Sequence, residues 1–172
     1  MKLFVFAIAG LLAVGCATAL QSSQSSAAAP TNGTYDANNK PAKPKLNFTA
    51  DHWKSKMSPE AFHILWEQGT EEAGTGKYAD NHKEGTYYCI GCGQKLFTSD
   101  TKFESGTGWP SFYTSVKGAV LFRHDTSFGM ERSEVICGNC GGHLGHVFDD
   151  GPKPTGLRYC MNSAALNFKP KS

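Results

Sequence analysis

Ser133-Glu134-Val135-Ile136-Cys137-Gly138-Asn139-Cys140-Gly141-Gly142-His143-Leu144-Gly145-His146-Val147-Phe148 is the stretch on which the fold turns. It opens with a short β-prone run and ends in another, His146-Val147-Phe148. A Cys-x-x-Cys knuckle lies between them, followed by glycines. A second knuckle, Cys89-Ile90-Gly91-Cys92, lies upstream, with 44 residues between the two pairs. In each knuckle the two intervening residues let the backbone turn so that both sulfurs face one point. Glycine at 91 and 138 eases that turn. Two knuckles together supply four thiolates, the donor set of a closed tetrahedral structural zinc site. Three other readings stand beside it in an exported chain. Each pair could be a redox disulfide, the four could form two cross-links, or Cys137 and Cys140 could bind metal with His143 and His146.

Further short runs surround this stretch: Thr86-Tyr87-Tyr88, Lys95-Leu96-Phe97, Ser111-Phe112-Tyr113-Thr114, Ala119-Val120-Leu121-Phe122 and Arg158 through Phe168. Glycine and proline turns separate them, as at Lys117-Gly118 and Asp150-Gly151-Pro152. The spacing predicts a mainly β domain of two antiparallel sheets with a small N-terminal helical segment, stapled by the four cysteines. Ser58-Pro59-Glu60 marks that helix's start, a hydroxyl N-cap followed by proline at the first helical position. Phe62, Leu65 and Trp66 form its buried face, and Gly69 stops it. Trp53 and Met57 predict a short turn before it. Glu71 to Gly85 reads as a loop.

The chain has 172 residues, 19 glycines, 12% aromatics and a formal net charge of +2. That length suits one domain with tails, and so mild a charge gives no basic stripe for nucleic acid. Residues 1–19 read as an export signal: Lys2, then the apolar run Leu3 to Val14, then small residues. Ala13-Val14-Gly15-Cys16 resembles a bacterial lipobox, which would lipidate Cys16 and make it the mature N-terminus. Ala17-Thr18-Ala19 instead fits ordinary cleavage. Either route exports the protein, to the periplasm or a lipid anchor in a bacterium and to the outside otherwise. An uncleaved anchor is the third reading, though the run is short for one. Residues 20–45 are rich in Ser, Ala, Asn, Pro and Lys and are expected to be a flexible tether. The folded domain is expected over 46–172.

Of the six cysteines, two pairs make the knuckles and Cys16 lies in the export segment. Cys160, in Arg158-Tyr159-Cys160-Met161-Asn162-Ser163, is left solitary. It is either an inert core thiol or a nucleophile. On a strand, Arg158 and Asn162 share its face, which makes poor core material. A positive charge there favours thiolate. His143, His146 and the acids Asp149 and Asp150 form a second cluster able to move protons. Trp109, in Gly106-Thr107-Gly108-Trp109-Pro110, is either a core plug or an apolar wall for a ligand methyl group.

Taken together, Ser105-Gly106-Thr107-Gly108-Trp109-Pro110-Ser111-Phe112, Cys137-Gly138-Asn139-Cys140, His143-Leu144-Gly145-His146-Val147-Phe148, Asp150-Gly151-Pro152 and Arg158-Tyr159-Cys160-Met161-Asn162-Ser163 resemble the B-class methionine-R-sulfoxide reductases. The resemblance runs from about Ala50 to the C-terminus. It implies two antiparallel sheets stapled by one structural zinc on Cys89, Cys92, Cys137 and Cys140. It further implies that Cys160 attacks the sulfoxide sulfur and that Trp109, with Phe148, holds the substrate methyl group. His146, with Asp150 and Asn162, would position and protonate the sulfoxide oxygen. His143 would support the polar side of the pocket, and Arg158 would lower the nucleophile's pKa. The implied partners are oxidised proteins or free methionine-R-sulfoxide, and a thioredoxin-like or other thiol reductant. A monomer is expected, touching a membrane only through a lipid anchor. Many members have a resolving cysteine where this chain has Thr107, so an external thiol is expected to reduce the Cys160 sulfenic acid directly. Phe128 stands where members often carry histidine. The competing readings are a zinc-ribbon-like binding module and a thiol–disulfide exchanger. The first leaves the Arg-x-Cys-x-Asn face and the histidine cluster unexplained.

Overall fold

The computed structural model describes residues 34–172. The expected export segment, its Cys16 and the start of the expected tether lie outside the described residues. Strand β1 (Thr34–Tyr35) precedes helices α1 (Ala50–Lys54) and α2 (Pro59–Glu67). Eight strands follow that build most of the domain: β2 (Gly85–Cys89), β3 (Lys95–Thr98), β4 (Lys102–Phe103), β5 (Ser111–Phe112), β6 (Val120–Asp125), β7 (Arg132–Cys137), β8 (His143–Phe148) and β9 (Arg158–Met161). The last strand is β10 (Leu166–Pro170). One sheet has the order β1-β6-β7-β8-β9-β5-β4 and the other β10-β2-β3. Every pairing is antiparallel, as the spacing of the short runs and turns predicts.

Two expected segments differ. The run from Arg158 to Phe168 is not one strand: a 3-10 turn, Ser163–Ala165, breaks it, and the chain crosses there from the large sheet to the small one. The tether is not free across 34–45. β1 pairs with the edge of β6, and Tyr35 is buried against Phe122 with ring centroids 5.8 Å apart. Lys45 and Leu46 donate backbone hydrogen bonds to the carbonyls of Gly138 and Asn139. Edge pairing uses backbone groups, so a polar run can add a strand when one large side chain finds a slot.

The two sheets meet over aromatic side chains. Phe97 of the small sheet stacks on Phe112 of the large one at 4.4 Å and meets Tyr159 at 5.8 Å. Tyr87, Phe97 and Phe112 are fully buried. Strand alternation puts Phe122, Val135, Tyr159 and Phe112 on the core side of the large sheet. The opposite side carries Asp125, Arg132, Glu134, His146, Phe148, Arg158 and Cys160. Burying the apolar side therefore gathers the polar residues on the other.

α2 begins as its sequence dictates. Ser58 Oγ accepts from the Ala61 amide at 3.2 Å and Pro59 occupies the first turn. It ends with Gln68 in the left-handed conformation, and the Gly69 amide donates to the His63 carbonyl. A Cβ at Gly69 would press on the exposed His63 ring, which packs over this turn. Trp53 of α1 stacks on Trp66 at 5.5 Å, so both helices form one apolar cover. No helix among the described residues is long and apolar enough to cross a membrane.

Candidate active site and metal centre

Cys89 ends β2 and Cys137 ends β7, so each knuckle continues a strand of a different sheet. In each, the amide two residues past the first intervening pair closes a turn: Gly93 donates to the Cys89 carbonyl and Gly141 to that of Cys137. The left-handed residues are Gly93 (φ 72) and Gly141 (φ 81), which follow the second cysteine, rather than Gly91 and Gly138 within the pairs. All four sulfurs lie within 4.8 Å of one another. Cys89–Cys140 and Cys92–Cys137 are 3.7 and 3.6 Å apart. Disulfide sulfurs would be about 2.05 Å apart. A tetrahedron of thiolates around a metal with ~2.3 Å bonds has edges near 3.8 Å. The donor set therefore fits a metal ion that ties the sheets together. The alternative set with His143 and His146 fails, because both rings bond carboxylates and the four cysteines are the one metal-ligand cluster among the described residues.

Across the sheet, β9 lies between β8 and β5, with Cys160 opposite His146 on one side and Ser111 on the other. Directly opposed residues share a face. A cleft of about 130 Å³ opens over this row, with Cys160, His146, Trp109, Phe148, Asn162 and Arg132 among its walls. Gly145 on its floor must be glycine, since a Cβ would fall on the Cys160 carbonyl oxygen. Gly108 sets the neighbouring wall. Its φ of 89 and its approach to Gly74 hold Trp109 at the cleft, where the indole Nε1 donates to the Glu71 carbonyl at 3.1 Å.

The expected grouping of acids is corrected here. Asp150 does not join His146. It makes a two-pronged ion pair with Arg158, with Nε–Oδ1 and Nη2–Oδ2 both 2.8 Å, and its side chain is largely exposed. His146 Nε2 instead meets Asp125 Oδ2 at 2.8 Å. Asp125 also takes 2.6 Å contact from Arg132 Nη2 and accepts from the Ser127 amide. Burial alone would raise the Asp125 pKa. The Ser127 bonds, His146 and Arg132 outweigh it and hold the carboxyl well below the usual range. Burial lowers the His146 pKa, so the ring rests neutral. An ionised Asp125 then accepts the Nε2–H and leaves Nδ1 with its lone pair.

His143 is fully buried beside His146, ring centroids 5.4 Å apart, with Nδ1 2.8 Å from the buried carboxylate of Glu134. Asn162 lines the cleft, but its amide is spent on the backbone. Nδ2 donates to Leu144 and Oδ1 accepts from the Glu71 amide. Glu71 in turn accepts from the Ser163 and Ala164 amides at 2.6 and 2.9 Å. The loop expected only as a linker is therefore a strap that fixes Trp109, Asn162 and the start of the 3-10 turn. Asp125 and Glu71 are the residues sequence reasoning missed, since neither lies in a patterned motif.

Arg158 does not bring the Cys160 pKa down overall. Burial pushes the thiol up, and this outweighs the Thr107 hydroxyl and the Arg158 charge, both of which act downward. The guanidinium is committed to Asp150 and lies 4.4 Å from the centroid of the Phe148 ring. Thr107 Oγ1 sits 3.8 Å from Cys160 Sγ and joins a hydroxyl chain through Ser105 to Ser111. Thr107, the position at which the resemblance led to the expectation of an external reductant, is thus beside Cys160 and carries no sulfur with which to form a disulfide.

The SelR domain model matches residues 57–170. The chain belongs to the SelR domain family. A peptide methionine sulfoxide reductase MsrB of Leptospira interrogans is 56% identical over 73% of this chain and 96% of its own length. Proteins of the same name from Thiobacillus denitrificans and Methanosarcina barkeri are 57% and 55% identical, over 72% and 69% of this chain and 94% and 84% of theirs. The resemblance to the B-class methionine-R-sulfoxide reductases is thereby shown. As a SelR-domain protein the chain is an enzyme, not a zinc-ribbon binding module, and β1 and α1 precede the part that matches the family model.

Proposed function

We propose that this methionine-R-sulfoxide reductase works with a single redox cysteine. Trp109 and Phe148 hold the methyl end of the oxidised side chain. As Cys160 attacks the sulfoxide sulfur, His146, oriented by Asp125, takes the thiol proton on Nδ1, and the imidazolium passes that proton to the sulfoxide oxygen. The oxygen passes to Cys160: thiol plus sulfoxide gives sulfenic acid plus methionine. One external thiol then displaces water to form a mixed disulfide. A second releases Cys160 as thiol and leaves with the first as a disulfide. The observation that carries the reading is Cys160 opposite His146 beneath Trp109, with Thr107 against the sulfur.

Zinc is the metal that four thiolates suit best, and its place is structural. Cys89, Cys92, Cys137 and Cys140 would hold it and join the sheets, remote from the reaction. The apolar N-terminal run supports export, with Cys16 as a lipid attachment point. Palmitate labelling that Cys16→Ser abolishes would support this, and undiminished labelling would reject it. Oxidised envelope proteins would then be the substrates, and a thioredoxin-like or small thiol the reductant.

The test is turnover of separated R and S epimers of methionine sulfoxide with dithiothreitol. Wild type is expected to reduce the R epimer and Cys160→Ser neither. Activity in Cys160→Ser, or a preference for the S epimer, would refute the reading.

A further inference from the structure

Among the described residues the most exposed large apolar side chain is Phe128, 90% accessible, and Met130 beside it is 46% accessible. Both lie in the connection between β6 and β7. Phe128 also has a left-handed backbone, φ 56 and ψ 22, which a bulky residue rarely adopts. The connection is tightly anchored at its base. Asp125 accepts from the Ser127 amide at 2.9 Å, and Arg132 Nη2 reaches both Asp125 and the Ser127 hydroxyl.

That anchor belongs to the cleft. Arg132 is one of its walls, its guanidinium lies 6.0 Å from the centre of the Phe128 ring, and Asp125 holds His146. The cleft's volume is about 130 Å³, well below the several hundred usual for a small-molecule pocket. It accepts one side chain, so the rest of a polypeptide substrate must leave over the rim. On the Arg132 side of that rim stands an outward-facing apolar pair, Phe128 and Met130, anchored at its base through Arg132. A preorganised contact loses little ordering entropy on binding.

We propose that Phe128 and Met130 form an apolar lip that receives an apolar residue flanking the oxidised methionine of a polypeptide substrate. This rests on the reductase reading and deepens it from a reaction to a sequence preference. The lip lies outside the reacting atoms, so it acts on substrate capture and appears in KM and kcat/KM.

The test uses two capped pentapeptides with central methionine-R-sulfoxide, one flanked by leucines and one by serines, turned over with dithiothreitol. Wild type is expected to favour the leucine peptide in kcat/KM by about fivefold or more, carried by KM. Phe128→Asn removes the ring at a position whose backbone suits asparagine, and should bring the ratio close to one. Phe128→Leu keeps an apolar side chain and should retain most of the preference. A wild type that reduces both peptides equally overturns the lip alone, as does a preference that survives in Phe128→Asn or that Phe128→Leu loses as fully. A wild-type dimer that Phe128→Asn dissolves would assign the tip to a second copy and also overturn it. No turnover of either peptide would overturn the reductase reading and the lip with it.

Discussion

Asp125 and Asp150 are the residues at which chain proximity and spatial proximity part. Asp150 follows His146 closely in sequence, yet its carboxylate faces solvent on Arg158. Asp125 lies on β6, two strands from His146, and reaches the ring across β7. Asp125→Asn is expected to lower kcat/KM by roughly ten- to a hundredfold, the scale for losing a partner that orients a working histidine. It should also move the acidic limb of the pH profile down, because ionised Asp125 raises the His146 pKa against burial. Asp150→Asn should stay within about threefold, since its pair is exposed. A larger loss in Asp150→Asn than in Asp125→Asn would restore the grouping expected from sequence. At the nucleophile, burial sets the direction. Alkylation of Cys160 by iodoacetamide should accelerate with pH through a midpoint above the ordinary thiol value of 9.0, and Arg158→Ala should move it higher. A midpoint below that value would show that the charge of Arg158 outweighs burial. Cys160, Trp109 and the zinc-type cysteines were legible because residue type and spacing name their chemistry. Asp125 was not, since an acid two strands away carries no local signal.

Elements were legible where local chemistry decides them. Ser58 and Pro59 start α2, and the apolar residues of the β-prone runs at β2, β3, β6 and β7 are the ones that are buried. Two were hidden because tertiary contacts decide them. Asn162 and Ser163 break the expected long C-terminal strand, where Glu71 takes the free amides of the 3-10 turn. β1 forms because Tyr35 fills a slot beside Phe122. Tyr35→Ala is expected to cost about 2 kcal/mol in urea denaturation, below the range for aromatic core truncation because so short a strand can peel away locally. An unchanged midpoint would mean that this segment contributes nothing to stability. β1 also borders the strand that ends in Asp125, so amide exchange should quicken along β6 in the same variant.

At the scale of the whole molecule the metal centre and the reacting row are separate devices. The four sulfurs close one end of the junction between the sheets, and Cys160 lies on the outer face of the large sheet. Metal removal by a strong chelator should therefore lower the midpoint of thermal unfolding and release about one metal ion per chain, since binding free energy here is folding free energy. Cys89→Ser should lose the ion and destabilise the domain, whereas Cys160→Ser should keep both ion and stability. Retention of a full equivalent of metal by Cys89→Ser would contradict the four-cysteine site. The central claim is a redox cycle carried by one cysteine. It is tested most directly by mixing reduced protein with one equivalent of methionine-R-sulfoxide without reductant, adding dimedone, and weighing the intact protein and its peptides. The account predicts one methionine released and one dimedone adduct, on Cys160, per chain. An intramolecular disulfide to Cys160, or release of methionine with Cys160 unmodified, would contradict it.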